Sequence, residues 1–158
     1  MTIPETIPVD NRSLHLERTF DAPRALVFQC WTDPARMAAW WAPRPFIMPR
    51  LTLDLRPGGR IDAAMRAPDG TEHPFDGEYL EVEPPARLVF RSRIRTETGV
   101  LFENEHVVVF EEDGDRTRPT LDIRVVSAQA EAAPYLAGMG EGWTLCLDQL
   151  AEIVAEEA

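Results

Sequence analysis

Residues 139–154 constrain this chain more than any other stretch, because Met139, Trp143, Cys146, Leu147, Leu150, Ile153 and Val154 recur at steps of three and four. That spacing lays one apolar stripe along a long helix, with Glu141, Asp148, Gln149, Glu152, Glu156 and Glu157 on the opposite face. A stripe of this length needs a broad apolar partner, and a sheet is the natural one. Taken alone, the same stripe also suits an ordinary core helix.

The segments before it alternate as strands do. Leu14, Leu16 and Phe20 share one side of residues 13–20, with Arg18 falling on that side too. Asp21-Ala22-Pro23 then predicts a helix start, with Asp21 as the cap and Pro23 in the first turn, and the helix carries Leu26, Val27, Cys30 and Trp31 as its stripe. Thr32-Asp33-Pro34 ends it and opens a second short helix through Met37, Trp40 and Trp41, stopped by Pro43 and Pro45. Further strands are predicted at 51–55, 61–65, 75–82, 88–94, 102–110 and 120–126, separated by Pro57-Gly58-Gly59, Asp69-Gly70, Pro84-Pro85 and an acidic turn around Gly114. Strands joined by short turns, with helices only at the two ends of the run, imply an α+β fold built on an antiparallel meander of about seven strands. A strongly twisted sheet of this kind curls around the long helix.

Composition limits what such a fold can do. A chain of 158 residues suits a single domain over residues 13–158, preceded by a loose arm over 1–12. That arm holds Pro4 and Pro8 and lacks both a basic start and an apolar core, so it does not read as a secretory leader. With 44% hydrophobic and 27% charged residues the chain is globular in type, and no apolar run is long enough for membrane insertion. A net charge of −11 disfavours nucleic acid as a partner. All 16 basic residues are arginine, which excludes Schiff-base chemistry on a lysine side chain. Arg87, Arg91, Arg93 and Arg95 fall in a row that alternation places on the solvated face of a strand. Cys30 and Cys146 sit in helical apolar patterns without paired spacing and read as buried free thiols in a reducing cytoplasm.

Several motifs follow one another in a familiar order: Phe20-Asp21-Ala22-Pro23, Trp31-Thr32-Asp33-Pro34, Trp40-Trp41-Ala42-Pro43, and residues 55–60 with Gly58-Gly59. Pro68-Asp69-Gly70, residues 82–90 with Pro84-Pro85, and Gly142-Trp143 with Leu147, Gln149 and Leu150 complete the series. In this the chain resembles, over residues 13–155, the family named after the activator of heat-shock protein 90 ATPase, a branch of the START-like, SRPBCC helix-grip superfamily. The resemblance implies a helix-grip fold, in which a curved antiparallel sheet and a long C-terminal helix enclose a deep cavity, with two short helices after the first strand. Relatives of this kind variously bind hydrophobic ligands such as lipids or polyketides, cyclise polyketides, or protect against reactive compounds. Chaperone activation in the named members relies on an additional domain, for which this chain is expected to have no room. Most of the shared motifs specify turns and corners, not chemistry.

A cavity of that kind needs apolar lining with a few inward polar groups. Trp40, Trp41, Met65, Phe75, Tyr79, Phe90, Phe102, Met139, Trp143 and Leu147 are the candidate lining, each equally suited to plain core packing. In the sixth predicted strand Phe102, Asn104, His106, Val108 and Phe110 form one face and Glu103, Glu105, Val107 and Val109 the other. Turning the aromatic set inward makes Ser92 a cross-strand neighbour of Asn104, and Phe90 a neighbour of His106; a slip or bulge would exchange His106 for Glu105. Tyr79 adds a hydroxyl unless the pairing sends Leu80 and Val82 inward instead. His106 is the candidate acid, base or hydrogen-bonding group, with Arg18 as a second ionisable candidate, and a satisfied core histidine is the plain alternative. His15, His73 and His106 show no metal-ligand spacing, and no cofactor motif is present, so neither metal nor cofactor is expected. The expected partner is a small hydrophobic molecule. The alternatives are a cyclase, dehydratase or hydrolase in the same cavity, or a co-chaperone-like protein-binding module. A homodimer is a further expectation if Trp40 and Trp41 are partly exposed on the short second helix.

Overall fold

The structure is a computed structural model and describes residues 13–97 and 99–157; the proposed arm at 1–12 lies outside them. Seven strands form one antiparallel sheet: β1 (Ser13–Glu17), β2 (Ile47–Leu53), β3 (Arg60–Arg66), β4 (Glu72–Glu83), β5 (Arg87–Thr96), β6 (Gly99–Asp113) and β7 (Arg116–Ala128). Their order across the sheet is β1-β7-β6-β5-β4-β3-β2, so the chain enters at one edge, crosses through α1 (Arg24–Thr32) and α2 (Pro34–Ala38), and returns strand by strand. After β7 a 3-10 turn (Ala130–Ala132) and α3 (Ala133–Ala137) lead into α4 (Met139–Glu157). This is the expected curved sheet with helices at the ends of the run.

Local chemistry explains where the elements depart from expectation. Pro23 itself occupies the cap of α1, its carbonyl receiving the amides of Leu26 and Val27, while Asp21 stays outside as an exposed residue beside Arg116. Asp33 is the cap residue of α2 and Pro34 its first position, as proline's fixed φ favours. Strand β2 begins earlier than expected and ends before Leu55. A register shift between Ile47 and Arg50 accommodates Pro49, which has no ladder amide to give and is tolerated on an edge strand. β7 likewise runs through Pro119, opposite Phe110, because the β6–β7 hairpin closes over the two residues Gly114 and Asp115. Gly114 has φ 63°, the left-handed backbone such a turn requires.

The main core is a continuous apolar cluster that joins α1, α2, the concave sheet face and α4, and a smaller one packs Leu101 and Val125 against Ala132 and Leu136. Trp31 and Trp40 are fully buried and meet edge to face with centroids 4.6 Å apart, and Trp31 stacks on Trp143 of α4 at 6.0 Å. Full burial of a large apolar side chain contributes about 1.5–3 kcal/mol, so this aromatic knot anchors the N-terminal helices to α4. Trp40 also donates its indole N–H to the Cys30 carbonyl at 2.8 Å. Because Trp40 is wholly buried and Trp41 nearly so, the exposed tryptophan surface imagined for a dimer is absent. At its far end α4 is tied to α2 by a two-oxygen contact between Arg36 and Glu157.

One expected surface residue of α4 is in the core. Gln149 is 5% exposed; its side-chain amide nitrogen, Nε2, donates to the carbonyls of Trp40 at 3.1 Å and Ala42 at 2.9 Å, and its Oε1 accepts the Arg44 amide at 2.8 Å. Residues 40–44 run irregularly between α2 and β2, so their backbone groups lack ladder partners, and one side-chain amide supplies three of them.

Candidate functional site

Alternation on β6 turns Asn104, His106, Val108 and Phe110 to the concave face, and the pairing of β5 with β6 sets Ser92 opposite Asn104 and Phe90 opposite His106. Glu103 and Glu105 point the other way. There they meet arginines: Arg93 lies 3.0 Å from Glu103, and Arg91 and Arg124 each lie 3.4 Å from Glu105. The expected bare arginine row is therefore a ladder of ion pairs on the outer sheet face. A register shift opposite Glu103 and Asn104 is absorbed on β7, so the inward set of β6 is preserved. Gly77 of β4 sits opposite Ser92, and a Cβ there would lie 1.9 Å from the Arg91 carbonyl oxygen; only glycine lets β4 and β5 close at this point.

Between this face and the first half of α4 lies a cavity of about 410 Å³. Trp41, Phe75, Ile94, Leu101, Phe102, Met65, Met139, Trp143 and Cys146 contribute its apolar wall. Phe46, His73, Arg95, Thr96 and Tyr135 lie where the wall becomes partly or largely solvent-exposed. Among the expected lining residues, Trp40, Tyr79, Phe90 and Leu147 do not reach it. Trp40 is turned into the knot with Trp31, and Phe90 is covered by the His106 ring on one side and meets Trp41 edge to face on another. Tyr79 is buried beside Phe90, where a register shift between Tyr79 and Glu81 keeps it inward, and Leu147 packs one helical turn beyond Trp143.

Sequence reasoning missed Phe46, His73, Ile94, Leu101, Tyr135 and Cys146 as wall residues. Ile94, Leu101 and Cys146 carried only a core signal, whereas Tyr135 belongs to α3, a five-residue helix without its own periodicity. Tyr135 contacts Phe102, with ring centroids 6.1 Å apart. Arg18, the second ionisable candidate, is not at the cavity but in an ion pair with Asp148 on the flank of α4.

Three polar side chains on the wall are more than nine-tenths buried: Ser92, Asn104 and His106. Ser92 Oγ and His106 Nε2 are hydrogen-bonded at 2.9 Å. The His106 ring lies nearly parallel to Phe90 and 5.6 Å from Trp143, and burial pushes its pKa down to about 3, so the imidazole is neutral at any ordinary pH. Asn104 Nδ2 faces the Met139 sulfur at 3.6 Å. Of the four buried side-chain atoms without a hydrogen-bond partner among the described residues, Arg24 Nε and Trp31 Nε1 belong to residues off the wall, and Asn104 Oδ1 and His106 Nδ1 belong to residues on it. Buried polar atoms are normally paired, so two unpaired ones on adjacent inward positions of one strand mark the polar end of the cavity. Among the described residues, no group of three or more His, Cys, Asp and Glu side chains is placed to hold a metal ion. Among the described residues, no helix is long and apolar enough to cross a membrane.

A curved antiparallel sheet gripping a long C-terminal helix over a cavity defines the START-like, SRPBCC class. Residues 21–155 match the family model described as Activator of Hsp90 ATPase homolog 1-like protein, and the chain belongs to that family. Solved structures agree. A protein from Arthrobacter aurescens is 25% identical with a TM-score of 0.83, the match covering 98% of this chain and 93% of the other. An AHSA1 protein from Silicibacter pomeroyi is 26% identical with a TM-score of 0.78, covering 92% and 99%. The protein Ms6760 from Mycobacterium smegmatis is 27% identical with a TM-score of 0.76, covering 97% of each chain. Comparison with curated proteins gives no match.

Proposed function

We propose that this protein binds a small, largely apolar organic molecule in the cavity between α4 and the sheet. The observation that carries the reading is the cavity itself: its volume of about 410 Å³ falls within the roughly 300–1,000 Å³ typical of small-molecule sites, and away from its exposed margin the wall is aromatic and aliphatic except for Ser92, Asn104 and His106. A well-packed core leaves few voids larger than a water molecule. Trp41 and Trp143 offer flat faces to such a guest, while Met65 and Met139 adapt to its shape. Catalysis by His106 draws less support, because an imidazole whose pKa lies near 3 is a weak general base and is not protonated to act as an acid.

The test is a thermal-shift screen of neutral apolar compounds against the whole chain and against Met65→Trp, which narrows the cavity. A compound present at a hundredfold excess over its dissociation constant should stabilise the parent protein by about 2.7 kcal/mol and Met65→Trp by less. Silence across a broad panel, or equal shifts in both proteins, would overturn the reading.

A further inference from the structure

We propose that the cavity selects a neutral molecule carrying a hydroxyl group at its buried end, over the same skeleton ending in a methyl group or a carboxylate. This rests on the binding reading above and gives the ligand a chemical class.

The argument starts from the two leftover atoms. Asn104 directs Nδ2 to the Met139 sulfur, which leaves Oδ1 as an acceptor with nothing to accept. His106 is joined to Ser92 through Nε2, which leaves Nδ1 as a donor or an acceptor according to which partner of that bond holds the hydrogen. A hydroxyl group can donate to Asn104 Oδ1 and at the same time accept from His106 Nδ1–H in the tautomer whose Nε2 accepts from the Ser92 hydroxyl. A methyl group can do neither. A carboxylate accepts only, so it leaves Asn104 Oδ1 facing a second bare oxygen.

Charge points the same way. Ser92, Asn104 and His106 are uncharged, and burial keeps the imidazole neutral, so no cation stands at the deep end to balance a carboxylate. Arg95 and His73 are the basic groups on the wall, and both are at its exposed margin. Arg95 is moreover held by both oxygens of Asp76, the longer contact being 3.2 Å, which offsets its charge locally.

Isothermal titration calorimetry near neutral pH with 2-naphthol, 2-naphthoate and 2-methylnaphthalene tests the proposal on one carbon skeleton. The naphthol should bind at least about tenfold more tightly than either analogue, the discrimination expected when a buried polar group is left unpaired. In Asn104→Leu the margin over 2-methylnaphthalene should shrink to about threefold or less while 2-methylnaphthalene still binds. Naphthoate binding as tightly as naphthol to the parent protein, or a margin over 2-methylnaphthalene that persists unchanged in Asn104→Leu, would overturn the proposal. Equal binding of all three would overturn it and leave the apolar-cavity reading standing, whereas silence from all three would remove both. Asn104→Leu replaces an unpaired buried group with an apolar one of similar size and should fold; if it does not, the ratios measured on the parent protein decide.

Discussion

The imidazole of His106 lies 4.4 Å from the ring of Phe90 at an interplanar angle of 13°, a stacked pair formed by direct cross-strand neighbours on β5 and β6. Stacking against a hydrocarbon ring, beneath Trp143, removes the imidazole from water and favours its neutral form.

The pH dependence of stability follows from that burial. His106 titrates near its ordinary 6.5 when unfolded and at about 3 when folded, so between those values the unfolded chain binds the extra proton. The stabilisation is therefore complete above the unfolded pKa and is lost as pH falls from 6.5 towards 3. His15 works in the opposite sense: exposed and hydrogen-bonded to Asp122, its raised pKa favours the fold below 6.5 and the benefit disappears as pH rises. Urea unfolding of His106→Phe across this range should show a shallower fall on the acid side than the parent protein. An unchanged slope would refute the assignment.

Gln149 predicts a stability effect out of proportion to its apparent place on a polar helix face. Gln149→Leu strands two buried carbonyls and one backbone amide at once, each worth about 1 kcal/mol or more when left unpaired. The expected loss in urea unfolding is about 3 kcal/mol, and a loss below about 0.5 kcal/mol would show that residues 40–44 find other partners. Gln149→Glu should also destabilise, since a carboxylate cannot donate to either carbonyl.

The two thiols should be inert in the folded protein. Burial pushes Cys30 up to about 11 and Cys146 up to about 12, and Cys146 already donates to the Trp41 carbonyl at 3.3 Å. Reaction with a charged disulfide reagent near neutral pH should be at least about a hundredfold slower in native than in urea-unfolded protein, because so little thiolate is present. Rapid native modification of either cysteine would contradict this picture.

The architecture was legible in the sequence because alternation and turn residues are local signals. Phe102, Asn104 and His106 share a face by spacing alone, and the pairs Ser92 with Asn104 and Phe90 with His106 follow from a short loop between two alternating strands. Strand ends at Pro49 and Pro119 were less legible, since proline reads as a breaker wherever the edge or hairpin context is unknown. The division between wall and core was not legible. Trp40 and Trp41 are chemically identical neighbours, yet one is locked against Trp31 while the other borders the cavity. Gln149 looked like solvent-facing helix because its partners lie about a hundred residues away in an irregular segment whose needs no periodicity reveals.

The position of Trp143 has a practical consequence. Its indole is packed against Trp31 and Trp40 on one side and borders the cavity on the other. A guest entering the hollow must alter the surroundings of an indole that is already coupled to two more, so the protein's own ultraviolet emission registers occupancy without any attached dye.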